Sequence, residues 1–175
     1  MIHLLPGLRK FSHEVFPAQQ PLFAKLSEGQ HPHTLLITCS DSRIDPNLVT
    51  QTQPGELFIV RNAGNIVPPY GASGGGEEAA IEFAVEGLGV SNIVICGHSH
   101  CGAMAALANR ANLDSLPSVA KWLRNARATQ RRIDDGSGAG ASLLDYIEEN
   151  VLVQADNLRT HPSVSAALRH NKVRI

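Results

Sequence analysis

Thr34-Leu-Leu-Ile-Thr-Cys-Ser-Asp-Ser-Arg43 opens as a short apolar, partly β-branched run and closes on a thiol, a carboxylate and a guanidinium. A run of this length and texture predicts a buried strand rather than a helix. It delivers Cys39 at its carboxyl end. Leu57-Phe-Ile-Val60 and Asn92-Ile-Val-Ile-Cys96 repeat the pattern and end at Arg61-Asn62 and Gly97-His98. Between them, Glu77 to Leu88 places Ala80, Phe83, Ala84 and Leu88 on one face of a helix. Strands alternating with helices predict an α/β fold with a mainly parallel central sheet flanked by helices. In such sheets ligands gather outside the carboxyl ends of the strands, which is where each of these runs turns polar.

Around this core, Ile2, Leu5, Leu8, Phe11 and Val15 recur at near-helical spacing, so the chain begins as an amphipathic helical arm. Pro17 and Pro21 are expected to break it, with a second short helix from Leu22 to Gly29. After Cys101 helices are predicted over Ala103–Asn109, Ser118–Arg132 and Ala141–Leu158. Asp134-Asp-Gly-Ser-Gly-Ala-Gly140 is too rich in glycine for a helix and reads as a flexible surface loop. Lys172-Val-Arg-Ile175 reads as a strand that has only begun. With 175 residues the chain suits one domain: an arm over 1–30, a core carrying the chemistry over 34–105, and the loop at 134–140.

A net charge of −1 gives no basic excess for nucleic acid or an anionic membrane, so neither partner is expected. No apolar run approaches the roughly 18 residues of a membrane span, and Met1 to Lys10 lacks a signal-peptide pattern, so a cytoplasmic location is the expectation. The cysteines are an odd set of 3, Cys39, Cys96 and Cys101, all in or beside the chemical motifs. That favours thiolate ligation in a reducing compartment over a disulfide framework.

His98-x-x-Cys101 alone is a weak metal motif. Joined by Cys39 from a neighbouring strand end, it offers the mixed thiolate and imidazole donors that suit zinc and not the oxygen-seeking magnesium or calcium. Asp41 has two readings: a fourth ligand that closes the site, or a carboxylate held by Arg43 in a bidentate pair that leaves a position for water. A plain surface ion pair is the bland alternative. Cys96 reads as a small core residue, His100 as rim or solvated, and His3, His13, His31, His33, His161 and His170 as surface. The glycines of Arg61-Asn-Ala-Gly-Asn65 and Gly71-Ala-Ser-Gly-Gly-Gly76 lack the spacing of nucleotide loops, and Cys39-x-x-x-Arg43 is too short for a phosphatase loop.

Cys39-Ser-Asp-Ser-Arg43, Arg61-Asn-Ala-Gly-Asn65 and His98-Ser-His-Cys-Gly-Ala103 closely resemble the β-class carbonic anhydrases, and the likeness runs from about Leu4 to the end. The resemblance implies one zinc ion per chain on Cys39, His98 and Cys101, with Asp41 and Arg43 as a catalytic dyad orienting zinc-bound hydroxide. It implies reversible hydration of carbon dioxide to bicarbonate and a proton, an arm that embraces a partner, and a homodimer or higher homo-oligomer. Gln30, Phe58, Gly102 and Phe83 are implied as substrate-pocket residues, Gln30 from a neighbouring subunit and Phe58 as the site's own wall. Phe83 stands where plant enzymes carry a tyrosine. The flavour is similar to plant and cyanobacterial members, so a carboxysomal setting is an open expectation. Bicarbonate-gated members have a tryptophan at Leu36, although their arginine corresponds to Arg61; an open site at neutral pH is expected here. Family members continue with a further sheet-edge strand, so the chain reads as shortened. Two rival functions follow: a non-catalytic zinc-stabilised assembly or bicarbonate-responsive protein, and hydrolysis of carbonyl sulfide or carbon disulfide on the same fold.

Overall fold

Residues 3–72, 75–136 and 140–175 are described by a computed structural model. They fall into two compact units, Met1–His31 and Pro32–Ile175. In the first, helix α1 (Leu5–Lys10) runs through a π-helical turn (Phe11–Val15) into α2 (Phe16–Ala18), and α3 (Gln20–Ser27) follows. Pro17 therefore lies inside helical chain instead of ending it. The π-helical turn, closed by Phe16 N–H on Phe11 O, lets the residue without an N–H start a fresh segment. The break falls at Gln19, whose φ of −108° and ψ of 18° are not helical. The rings of Phe11, Phe16 and Phe23 cluster with centroids 5.1–6.1 Å apart, yet none of these helices contains a buried residue.

The second unit runs β1 (Thr34–Cys39), α4 (Pro46–Thr50), β2 (Leu57–Asn62), α5 (Gly76–Glu82) with a π-helical turn (Phe83–Gly87), and β3 (Asn92–Cys96). Helices then follow: α6 (Gly102–Ala108), α7 (Pro117–Leu123), a 3₁₀ turn (Arg124–Ala126), α8 (Arg127–Gly136), α9 (Leu143–Arg159) and α10 (Pro162–Arg169). The strands form a parallel sheet in the order β2-β1-β3. Every residue of central β1 is buried. Leu35 pairs with Phe58 and Ile93, and Cys39 pairs with Asn62. Leu35, Ile37, Val67, Ile81, Ile93, Leu158 and Val164 make one core, and Ile66, Met104, Leu107, Leu123, Ile133 and Ile147 make a second that includes Cys39 and Cys101. Full burial of a side chain such as Leu35 contributes about 1.5–3 kcal/mol.

Several expectations change. The 3₁₀ turn interrupts the helix expected over Ser118–Arg132. Asp134, Asp135 and Gly136 complete α8 rather than opening a loop; the remainder of that stretch, 137–139, lies outside the described residues. Lys172–Ile175 contributes one parallel bridge, Asn92 to Arg174, and buries Val173. Cys96 is half-buried, not a full core residue. Helix α10 was not anticipated; its apolar stripe of Val164, Ala167 and Leu168 is confined to 8 residues.

A buried polar chain ties α9 to the segment after β2. Asn150 Nδ2 donates to Gly64 O (3.0 Å), Gln154 Nε2 to Asn150 Oδ1 (2.9 Å), Val67 N–H to Gln154 Oε1 (2.9 Å) and Asn157 Nδ2 to Val67 O (2.9 Å). Removing one member leaves its neighbours buried without partners, which costs about 1–3 kcal/mol each. Gln154→Leu is therefore expected to lower stability by about 2 kcal/mol or more, read as a lower urea midpoint at unchanged slope. Helix α9 also starts with a reciprocal cap: Ser142 Oγ accepts from Asp145 N–H, and Asp145 Oδ2 accepts from Ser142 N–H. The Ser142 side chain and backbone hold the Asp145 carboxyl below its ordinary value. Its contribution is full above the unfolded value, about pH 4, and disappears as the pH falls through the lower folded value. Acid unfolding of Asp145→Asn should accordingly show a shallower loss of melting temperature below about pH 4 than the unaltered protein.

Candidate metal centre

Cys39 is the last residue of β1, and Ser40 N–H continues the pairing to Asn62 O at 2.9 Å. The loop beyond is clamped by Arg61, whose guanidinium donates to Cys39 O (3.0 Å), Asp41 O (2.8 Å) and Ile44 O (2.9 Å). His98 follows β3 and is buried. Its Nδ1 lies 2.9 Å from Ser99 O; a carbonyl only accepts, so Nδ1 carries the proton and Nε2 presents a lone pair. Among the described residues the buried Nε2 finds no hydrogen-bond partner, an expensive state for a polar atom unless something binds it. His100, at φ +56°, turns the chain so that Cys101 stands at the N-cap of α6, without a side-chain capping hydrogen bond, while the nearby backbone N–H groups of Met104 and Ala103 favour its thiolate.

The sulfurs of Cys39 and Cys101 and a ring nitrogen of His98 all lie within 4.8 Å of one another. The two thiols lie close enough to set each other's protonation. Donation from Cys101, supported by the backbone N–H groups of Gly64 and Asp41 and opposed by burial, draws the Cys39 thiol down to about 4. The same interaction, together with burial, pushes Cys101 up. A divalent cation takes the place of the thiol proton and holds both groups as thiolates. Two soft sulfurs, an imidazole lone pair left without a partner, and a carbonyl fixing the tautomer fit a tetrahedral transition-metal ion.

Asp41 is engaged by Arg43. Arg43 Nε donates to Oδ1 at 2.9 Å, Nη2 to Oδ2 at 2.7 Å, and the Arg43 backbone N–H to Oδ1 at 3.0 Å. The Arg43 side chain, then its backbone N–H, holds the Asp41 carboxyl far below the usual carboxylate range. Asp41 Oδ2 nevertheless stays 3.9 Å from His98 Nε2. Arg43 Nη2 also donates to His100 O at 2.9 Å, joining the two sequence clusters.

Behind Cys39, Gly64 N–H donates to Sγ at 3.3 Å. Gly64 has φ +83°, and a Cβ there would stand 2.9 Å from Ala103 Cβ and 3.2 Å from Met104 Cε. Both conformation and space demand glycine. Asn62 closes this turn by donating to Ile66 O and accepting from Ile66 N–H, each at 2.8 Å.

Gly102, the first residue of α6, is exposed with open space around its Cα. Phe58 and Phe83 pair with each other, ring centroids 6.0 Å apart, but not with the metal cluster. Phe58 sits opposite Leu35, and the rise from Leu35 to Cys39 is about 13 Å. Phe58 is therefore set back along the strand from its own chain's cluster, where a pocket wall was expected. Gln30 is an exposed residue of the N-terminal unit. His161 corrects another expectation: it is buried, with Nε2 3.0 Å from Pro68 O. Arg61 as a loop clamp, Gly64, Asn150 and Trp122, whose indole donates to Ala63 O, were not foreseen in these roles. The groove of about 540 Å³ lined by Val85, Glu86, Val90, Ala167 and Lys172 shares no residue with the cluster.

A parallel sheet that brings two thiols and an imidazole to adjacent strand ends defines an α/β protein with a candidate Cys-His-Cys metal centre. Residues 34–175 match the family model for carbonic anhydrases. The chain is 48% identical over 180 residues to a carbonic anhydrase of Synechococcus elongatus, covering 100% of this chain and 66% of that protein. It is 46% identical to a carbonic anhydrase of Pseudomonas aeruginosa, covering 100% and 80%. The structure of the β-carbonic anhydrase CcaA superposes with a TM-score of 0.95 at 45% identity, covering 99% of this chain and 79% of that one. A tetrameric β-carbonic anhydrase of Sordaria macrospora superposes at 0.82 with 27% identity, covering 98% and 87%. The chain belongs to the carbonic anhydrase family, in its β class. It spans about two thirds of the length of the curated cyanobacterial relatives, 66% and 63%.

After reconstitution with zinc and dialysis, Cys39→Ser, His98→Ala and Cys101→Ser should each lose more affinity than the roughly 10–100-fold that removal of an outer partner costs. Cys96→Ser, whose sulfur is outside the cluster, should retain full metal by elemental analysis.

Proposed function

We propose that this chain catalyses the reversible hydration of carbon dioxide to bicarbonate and a proton, with one zinc ion held by Cys39, His98 and Cys101. The observation that carries the reading is the paired state of Asp41: both its oxygens are occupied by Arg43, so the carboxylate stands beside three converging ligands without being one of them. Zinc bound there supplies a Lewis acid that brings the pKa of a water down to about 7.

The chain's own groups do the rest. Arg43 keeps Asp41 ionised, so this side chain can only accept a hydrogen bond. An acceptor fixed there orients the attacking O–H so that its oxygen lone pair faces carbon dioxide. Gly102, without a Cβ, leaves room beside Cys101 for a small linear substrate. Arg61 and Gly64 hold the backbone that carries Cys39. Phe58 and Phe83 belong to the pocket only if a second copy supplies them, since Phe58 is displaced along the strand from its own cluster; the family resemblance assigns Gln30 to a neighbouring subunit's pocket.

Assembly as a homo-oligomer is supported by the N-terminal unit, which exposes Leu4, Leu5, Leu8, Phe11 and Phe16, and by the likeness to a protein described as tetrameric. Among the described residues no helix is long and apolar enough to cross a membrane.

Asp41→Asn substitutes an amide that donates where only acceptance serves. Stopped-flow hydration assays should show kcat/KM reduced about 10–100-fold at unchanged zinc content. An Asp41→Asn protein as fast as the original would refute the role of Asp41, and stoichiometric zinc without turnover in the unaltered protein would favour a purely assembling role.

A further inference from the structure

We propose that Trp122 is a positioning residue for the Cys39 sulfur, acting through a single peptide plane. The Trp122 indole N–H donates to Ala63 O at 2.8 Å. The opposite edge of that same peptide unit is Gly64 N–H, which donates to Cys39 Sγ at 3.3 Å. A peptide unit is rigid and planar, so fixing its carbonyl fixes the direction of its N–H. Accepting a hydrogen bond at the oxygen also polarises the unit and strengthens donation at the nitrogen. The two hydrogen bonds thus form one relay from an indole to a metal-ligand sulfur.

The surroundings assign this task to Trp122. The next carbonyl, Gly64 O, is held by Asn150 at 3.0 Å, and the Gly64 Cα abuts Ala103 and Met104. Those contacts locate the glycine, but neither bonds the Ala63–Gly64 peptide. Trp122 is carried by α7, which is anchored by buried Leu123, so the indole is presented from a packed element and not from a loop. N–H donors to a ligating sulfur tune the charge that the sulfur offers to the metal. An indole that only filled space would alter folding stability and leave that charge untouched.

The inference rests on the metal reading of Cys39, His98 and Cys101, and the test separates the two. Trp122→Phe keeps an aromatic ring and removes the N–H. Zinc affinity is measured by chelator competition, and the cobalt(II)-substituted protein is examined in the thiolate-to-cobalt charge-transfer region. The dissociation constant is expected to rise about 10–100-fold and the charge-transfer band to shift, while Lys121→Ala on the same helix changes neither. A folded Trp122→Phe protein with unaltered affinity and an unaltered band overturns the inference alone. An unaltered protein that takes up neither zinc nor cobalt overturns the metal reading and the inference with it. Should Trp122→Phe not fold, the unaltered protein decides. Its single tryptophan gives one indole N–H signal by NMR, which zinc is expected to displace with saturation at one equivalent; a signal that zinc leaves in place overturns the proposal.

Discussion

Because β1 is hydrogen-bonded in parallel to β2 on one side and to β3 on the other, all three strands must end at the same edge of the sheet. The chain lays down the central strand first and then places its neighbours to left and right, so the loops leaving β1 and β3 part company above a crevice. Cys39 enters that crevice from β1, and His98 and Cys101 enter it after β3. Burial of every residue of β1 confines the chemistry to its last residue, Cys39, and to the residues beyond. The site is thus a consequence of strand direction as much as of residue choice.

At that edge the charges are allocated rather than merely gathered. Arg61 spends its donors on three backbone carbonyls and shapes the loop. Arg43 spends its own on Asp41 and on His100 O. One arginine therefore sets geometry and the other sets protonation, and the pair cannot exchange duties. The sulfurs answer first to each other and then to backbone: N–H groups of Gly64 and Asp41 favour the Cys39 thiolate, and those of Met104 and Ala103 favour that of Cys101. Uncharged donors of this kind stabilise thiolates without adding competing cations to the pocket.

The strands and the three ligand candidates were legible in the sequence because their signals are local: a short apolar run, then a polar residue with a ligand's chemistry. What was not legible depends on partners far along the chain. His161 looked like a surface residue because its acceptor, Pro68 O, is 93 positions away; Asn150 and Trp122 reach the loop after β2 across 86 and 59 positions. Phe58 was matched by its place in a motif, but register decides reach, and pairing with Leu35 sets it back from the strand end. The π-helical turns at Phe11–Val15 and Phe83–Gly87 escaped notice because an apolar stripe hardly changes when one turn widens.

The N-terminal unit has a further consequence. Its three phenylalanine rings touch one another, yet none of its helices buries a residue. A segment of this size gains too little from its own contacts to offset the entropy of ordering its backbone. Whatever cover it acquires by association enters by mass action. Where a second copy supplies that cover, the order of the N-terminal helices follows protein concentration.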